Sequence, residues 1–175
     1  MVDSLESLVA RFDTRDKPPI DQWNPSKISE IDIRIDRQGD WYHQGAIIER
    51  KRMVALFSTI LWREGTSYYL KTPHEKLKIE VEDAPFIAVL MEVSGKGEHQ
   101  SLCFTDNTGN RFKADAKHGL WLTEKNNQPA PYVIVRRDLP ALLSRAVYYQ
   151  LAELVVERES VAGVWSEGIF FELDG

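Results

Sequence analysis

The strongest constraint on what this chain can fold into is that one stretch of it recurs. Residues 47–58 (Ile-Ile-Glu-Arg-Lys-Arg-Met-Val-Ala-Leu-Phe-Ser) align without gaps on residues 133–144 (Val-Ile-Val-Arg-Arg-Asp-Leu-Pro-Ala-Leu-Leu-Ser). Ile48/Ile134, Arg50/Arg136, Ala55/Ala141, Leu56/Leu142 and Ser58/Ser144 are identical, and positions 47/133, 51/137, 53/139 and 57/143 keep their chemical type. Each copy reads as a strand running into a helix. The expected fold is therefore α+β, built as two tandem similar repeats, each an antiparallel sheet with one main helix. A helix and proline-containing arm should occupy residues 1–30, the first repeat 31–84 and the second 85–175.

A chain of 175 residues holds one well-buried core or two small ones. Its net charge of −5 argues against binding a phosphate backbone, which needs a basic surface to release counterions. Arg50-Lys51-Arg52 is read as a solvated helix flank, so neither nucleic acid nor membrane is expected as a partner. The opening Met1-Val2-Asp3-Ser4-Leu5-Glu6 lacks the basic and apolar regions of a secretory signal, and no apolar run is long enough to span a bilayer. Cys103 is the single cysteine, which excludes an intrachain disulfide. Together these point to the cytoplasm.

Leu5, Leu8, Val9 and Phe12 have helical spacing behind Asp3 or Ser4 as N-cap. Pro18, Pro19 and Pro25 make residues 13–30 an irregular arm. Ile31, Ile33 and Ile35 alternate with charged residues as in a half-buried strand, and the turn at 36–40 returns it through Trp41 and Tyr42. Residues 46–48 form a third strand; Met53, Leu56, Phe57, Ile60 and Leu61 line a helix ended by Gly65. Strands follow at 67–71 and 76–82. In the second half, strands are expected at 86–93, 101–105, 111–114, 119–123 and 132–136, with a loop at 125–131. A long helix is read over 139–156, with Pro140 in its first turn, and closing strands at 164–165 and 169–173.

Trp23-Asn24-Pro25, Gly39-Asp40-Trp41, Ile48 through Arg50, Leu56-Phe57-Ser58, Tyr69-Leu70-Lys71-Thr72-Pro73 with Glu75-Lys76, and Val81 through Phe86 resemble the bacterial family known as domain of unknown function 1285. The resemblance runs from about Pro19 to Leu173. It implies two similar α+β repeats and a suspected link to signalling, and it carries no catalytic residues.

No motif fixes a reaction. His43, His74, His99 and His118 lack the paired spacing of a metal site, and no cofactor fingerprint is present, so neither metal nor cofactor is expected. Asp106, Thr108, Asn110 and Asp115 suit a plain hairpin turn better than a calcium loop. Cys103, between Leu102 and Phe104, reads as a buried small hydrophobe. What remains is a polar-aromatic set: Trp41, Arg50, Tyr69, Lys71 and Glu75 in the first half, Arg136 and Trp165 in the second, flanked by Thr72, Asp83 and Glu167. Arginine suits a carboxylate or phosphate because its fork donates two parallel hydrogen bonds; the competing reading pairs Arg50 and Arg136 with acidic neighbours as structural ties. The expected function is a non-enzymatic module that binds a small anionic ligand or a partner protein between the repeats and serves regulation. An enzyme acting on a small anionic or nucleotide-like substrate between the repeats, using Glu75, Asp83 or His74 as acid or base and Arg50 as anion clamp, is the alternative. An exposed apolar patch would favour a protein adaptor or homodimer.

Overall fold

The computed structural model describes residues 17–174, so the expected helix over Leu5–Phe12 lies outside the described residues. The chain divides into two compact units, residues 1–82 and 83–175.

The first unit is a six-stranded sheet. Strand β1 (Lys27–Ile35) begins inside the segment expected to be an irregular arm, whose other element among the described residues is a 3-10 turn at Ile20–Gln22. Ile31, Ile33 and Ile35 face inward along β1 because the side chains of a strand alternate. The Asp36 carboxylate then accepts the N–H groups of Gln38 and Asp40, both at 2.9 Å, while Gly39 takes φ 82°. That turn leads into β2 (Trp41–His43), and a two-residue loop with positive φ at Gln44 and Gly45 leads into β3 (Ala46–Ile47). Helix α1 (Lys51–Thr59) ends before Ile60, not at Gly65. The hydroxyls of Ser58 and Thr59 donate back to the carbonyls of Ala55 and Leu56, and Leu61 already pairs across the sheet. Strands β4 (Leu61–Glu64), β5 (Ser67–Lys71) and β6 (Glu75–Val81) complete the unit, with Gly65 in the β4–β5 turn.

The strand order is β3-β2-β1-β6-β5-β4. All neighbours are antiparallel except the central pair, β1 with β6, so the sheet is mixed where an antiparallel one was expected. The parallel contact follows from connectivity: the chain leaves the centre along β1, crosses through α1 to the far edge, and returns inward to β6. Register places Trp41 beside Ile35, Leu70 beside Leu77 and Tyr68 beside Ile79 on one face. Phe57 of α1, fully buried, stacks on Trp41 at 6.2 Å.

The second unit repeats this plan. Strands β7 (Phe86–Ser94), β8 (Ser101–Asp106), β9 (Arg111–Lys113), β10 (Leu120–Lys125), β11 (Gln128–Arg136) and β12 (Leu139–Leu143) are ordered β10-β11-β12-β7-β8-β9, with β12 and β7 parallel at the centre. Reading β1 to β6 onto β7 to β12 reproduces every pairing, and β7 begins 59 residues after β1. The chain thus carries two similar six-stranded sheets, but not at the alignment that the recurring segment suggested. Residues 47–58 run from β3 into α1, whereas 133–144 form the β11–β12 hairpin.

The long helix expected over 139–156 is corrected for the same reason. Residues 139–143 are nearly all buried, as a central strand requires, and Pro140 sits next to a register shift between Ile134 and Arg136, where its missing N–H is tolerated. Helix α2 (Arg145–Glu153) starts only at Ser144, whose hydroxyl accepts the Val147 N–H. The expected loop over 125–131 is instead a tight hairpin, with Asn126 and Asn127 both at positive φ. A third sheet of β13 (Val156–Arg158), β14 (Val161–Ser166) and β15 (Ile169–Glu172) ends the unit. α2 therefore follows the six strands, where α1 divides its own six.

Candidate functional site

One face of the first unit's sheet carries a layer of aromatic and cationic side chains. Cross-strand register aligns Trp62 with Tyr69 and Tyr69 with Lys78, and Lys71 with Lys76, so these residues share the face opposite Leu61, Leu70 and Leu77. Lys71 is only 4% exposed, its ammonium 3.5 Å from the centre of the Trp62 ring. At that distance and burial a cation–π contact is worth about 2 kcal/mol. Lys76 lies 5.3 Å over Tyr69 and forms a 2.7 Å ion pair with Glu64, which also accepts the Trp62 indole N–H at 3.0 Å. The hydrogen bond from Lys76 and that from Trp62 hold the Glu64 carboxyl below its usual range against its partial desolvation. Trp62 and Glu64 were missed by sequence reasoning; the signal was the short Leu61–Glu64 strand, absorbed into the preceding helix.

Next to this layer the central ladder steps. Glu30 pairs with Lys78 and Arg34 with Glu80, so β1 advances four residues while β6 advances two. A pocket of about 360 Å³ opens there, lined by Glu30, Ile31, Asp32, Lys78, Ile79 and Glu80. Bulges recur beside functional sites because they interrupt pairing and re-aim side chains. Three carboxylates against one ammonium make this an electronegative recess, suited to a cationic group.

Within the first unit the residues singled out from sequence do not converge. Tyr69 and Lys71 stand together on the face that also carries Trp62. Trp41 is 1% exposed on the opposite face, its indole nitrogen buried without a hydrogen-bond partner among the described residues, as is Nε2 of the half-buried His43. Arg50 is exposed at the start of α1, where its carbonyl receives the Met53 and Val54 N–H groups. Glu75 accepts the Ser29 hydroxyl at 2.7 Å and pairs with Lys27 at 3.3 Å; Thr72 closes the adjoining turn through the N–H groups of His74 and Glu75.

In the second unit Arg136 lies over the Phe86 ring at 5.2 Å, its pKa lowered by burial and by neighbouring Arg137, partly offset by Asp106. Trp165 packs against Phe170 at 5.2 Å beneath Arg158. Asp83 accepts the Tyr132 hydroxyl at 2.7 Å and pairs with Lys125. Burial pulls the Lys125 ammonium down, but its bonds to Asp83 and Tyr132 outweigh that and hold it above its ordinary value; burial raises Tyr132. Glu167 accepts the Ser101 hydroxyl and pairs with Lys113, which lower its pKa. Asp106 is a hairpin turn former, accepting the Thr108 and Asn110 N–H groups. Cys103 is half-buried, not enclosed: Leu102 and Phe104 point inward and the thiol faces the other way, 3.9 Å from the Arg111 guanidinium. Among the described residues no group of three or more histidine, cysteine or acidic side chains is placed to hold a metal ion, and no helix is long and apolar enough to cross a membrane.

Comparison with known proteins agrees with the two-unit division. Residues 18–84 match the domain of unknown function DUF1285, N-terminal domain, and residues 85–173 match the protein of unknown function DUF1285, C-terminal domain. The crystal structure of a DUF1285 family protein from Silicibacter pomeroyi is 40% identical, with a TM-score of 0.94 over 99% of this chain and 96% of that one. A DUF1285 family protein from Shewanella baltica is 28% identical, with a TM-score of 0.56 over 69% of this chain and 90% of that one. No curated protein matches. The chain belongs to the DUF1285 family.

Proposed function

We propose that this member of the DUF1285 family is a non-enzymatic binding module that serves regulation, and that its first unit recognises a small ligand or a partner's side chain in the recess between β1 and β6. The observation that carries this reading is the step in the central ladder, which opens a charged pocket of about 360 Å³ beside the aromatic layer. A recess with a few convergent polar groups is the usual form of a ligand site. Its carboxylates favour a cationic partner over the anionic one expected from the arginines, since Arg50 and Arg136 belong to different units and neither lines it. The candidate acids Glu75 and Asp83 are each taken up by a hydrogen bond and an ion pair, which suits a structural role better than acid–base work.

Thermal-shift screening against amines, nucleotides, sugars and metal ions tests this. A bound compound raises the melting temperature by mass action. The expected result is an amine-bearing compound that stabilises the wild type and loses its effect in the Glu30→Gln/Glu80→Gln double variant. A shift that survives the double variant, or no shift from any amine, removes the pocket from consideration.

A further inference from the structure

A second feature of the first unit, independent of that recess, points to a ligand of opposite character. Trp41 and His43 are alternate residues of β2, opposite Ile35 and Ile33, so their side chains leave the same face of the sheet. Two residues of strand separate them by about 6.6 Å. Trp41 Nε1 and His43 Nε2 are both buried, and neither has a hydrogen-bond partner among the described residues. Buried polar atoms are almost always paired, because leaving one unsatisfied costs about 1–3 kcal/mol. Two such atoms on alternate residues of one strand are therefore unusual, and their chemistry is specific. An indole N–H only donates, and a neutral imidazole in its Nε2–H form donates as well.

We infer that Trp41 and His43 form a donor pair that holds the carboxylate of a small ligand. The two side chains leave one face of the strand one repeat apart, and the two oxygens of a carboxylate can take one donor each. Preorganisation is built in, since the indole is stacked on Phe57 and held 1% exposed. His43 is half-buried where Trp41 is enclosed, so the carboxylate enters from the His43 side. N–H donors to a carboxylate make charge-assisted hydrogen bonds, which are roughly twice as strong as neutral ones.

The test is a titration of the ¹⁵N-labelled full chain with sodium acetate, following the indole resonance that disappears in Trp41→Phe. Sodium chloride at equal ionic strength is the control. The expected result is a saturable movement of the Trp41 indole signal with acetate alone. His43→Phe should weaken it about tenfold, the equivalent of one hydrogen bond. Should His43→Phe fold poorly by circular dichroism, His43→Gln, which retains a side-chain N–H donor, takes its place and is expected to bind acetate within about threefold of the wild type. A signal that does not move, moves equally with chloride, or responds to acetate unchanged in His43→Phe overturns the inference. None of these results depends on the recess between β1 and β6, whose probe is an amine.

Discussion

Asp83 has two partners of contrasting burial, and comparing them tests how this fold is held. Tyr132 is 4% exposed and packs on Trp121 at 5.5 Å, in a cluster with Ala84 and Ala130; the Lys125 side chain is 53% exposed. Tyr132→Phe keeps the ring, its stacking and its volume, and removes only the hydroxyl that donates to Asp83. A hydrogen bond to a charged acceptor contributes about 1.5–3 kcal/mol, and the Asp83 side chain, 12% exposed, has little access to water as a replacement. The expected loss is about 2 kcal/mol. For a unit of this size that lowers the melting temperature by roughly 8–16 °C. Lys125→Met removes a mostly solvated charge, whose pairing is worth about 0–1 kcal/mol and is screened by salt. Urea unfolding at low and high salt, followed by near-ultraviolet circular dichroism, measures both. A loss below about 0.5 kcal/mol for Tyr132→Phe, or a larger loss for Lys125→Met than for Tyr132→Phe, refutes the reasoning that burial sets which tie matters.

Ser144→Ala should cost about 1 kcal/mol by removing the cap that separates β12 from α2, and Ser144→Asp should restore most of it; chemical denaturation reads both. Gly163→Ala should prevent stable folding of the second unit, since an added Cβ would collide with the Phe171 carbonyl oxygen and lie 2.6 Å from the Phe170 ring; wild-type solubility and amide dispersion in this variant would contradict that. The Glu64 carboxyl, held low by Lys76 and Trp62, should titrate closer to its ordinary range in Lys76→Met by carbon-detected NMR. Because its folded pKa is depressed, its contribution to stability is present at neutral pH and is lost as the pH falls through that folded value, so acid should narrow the gap between wild type and Lys76→Met.

Local pattern made much of this architecture legible. The alternation of Ile31, Ile33 and Ile35 with charged neighbours could satisfy only a half-buried strand, and Asp36 with Gly39 could close only a tight turn, because side-chain period and backbone freedom act over a few residues. That the chain carries two similar halves was also readable. Their true correspondence was not: a five-residue apolar run such as Leu139–Leu143 has no period of its own, and only pairing with β11 and β7 decides that it is a strand. The same holds for the site. Tyr69 and Lys71 stood out by composition, but Trp62 joins them only through antiparallel register, and the recess exists only because β1 and β6 advance unequally between Glu30 and Arg34. Sequence determined which segments extend and turn; tertiary structure decided which of them meet, since hydrogen-bond register between distant strands is a property of the assembled sheet and not of any segment within it.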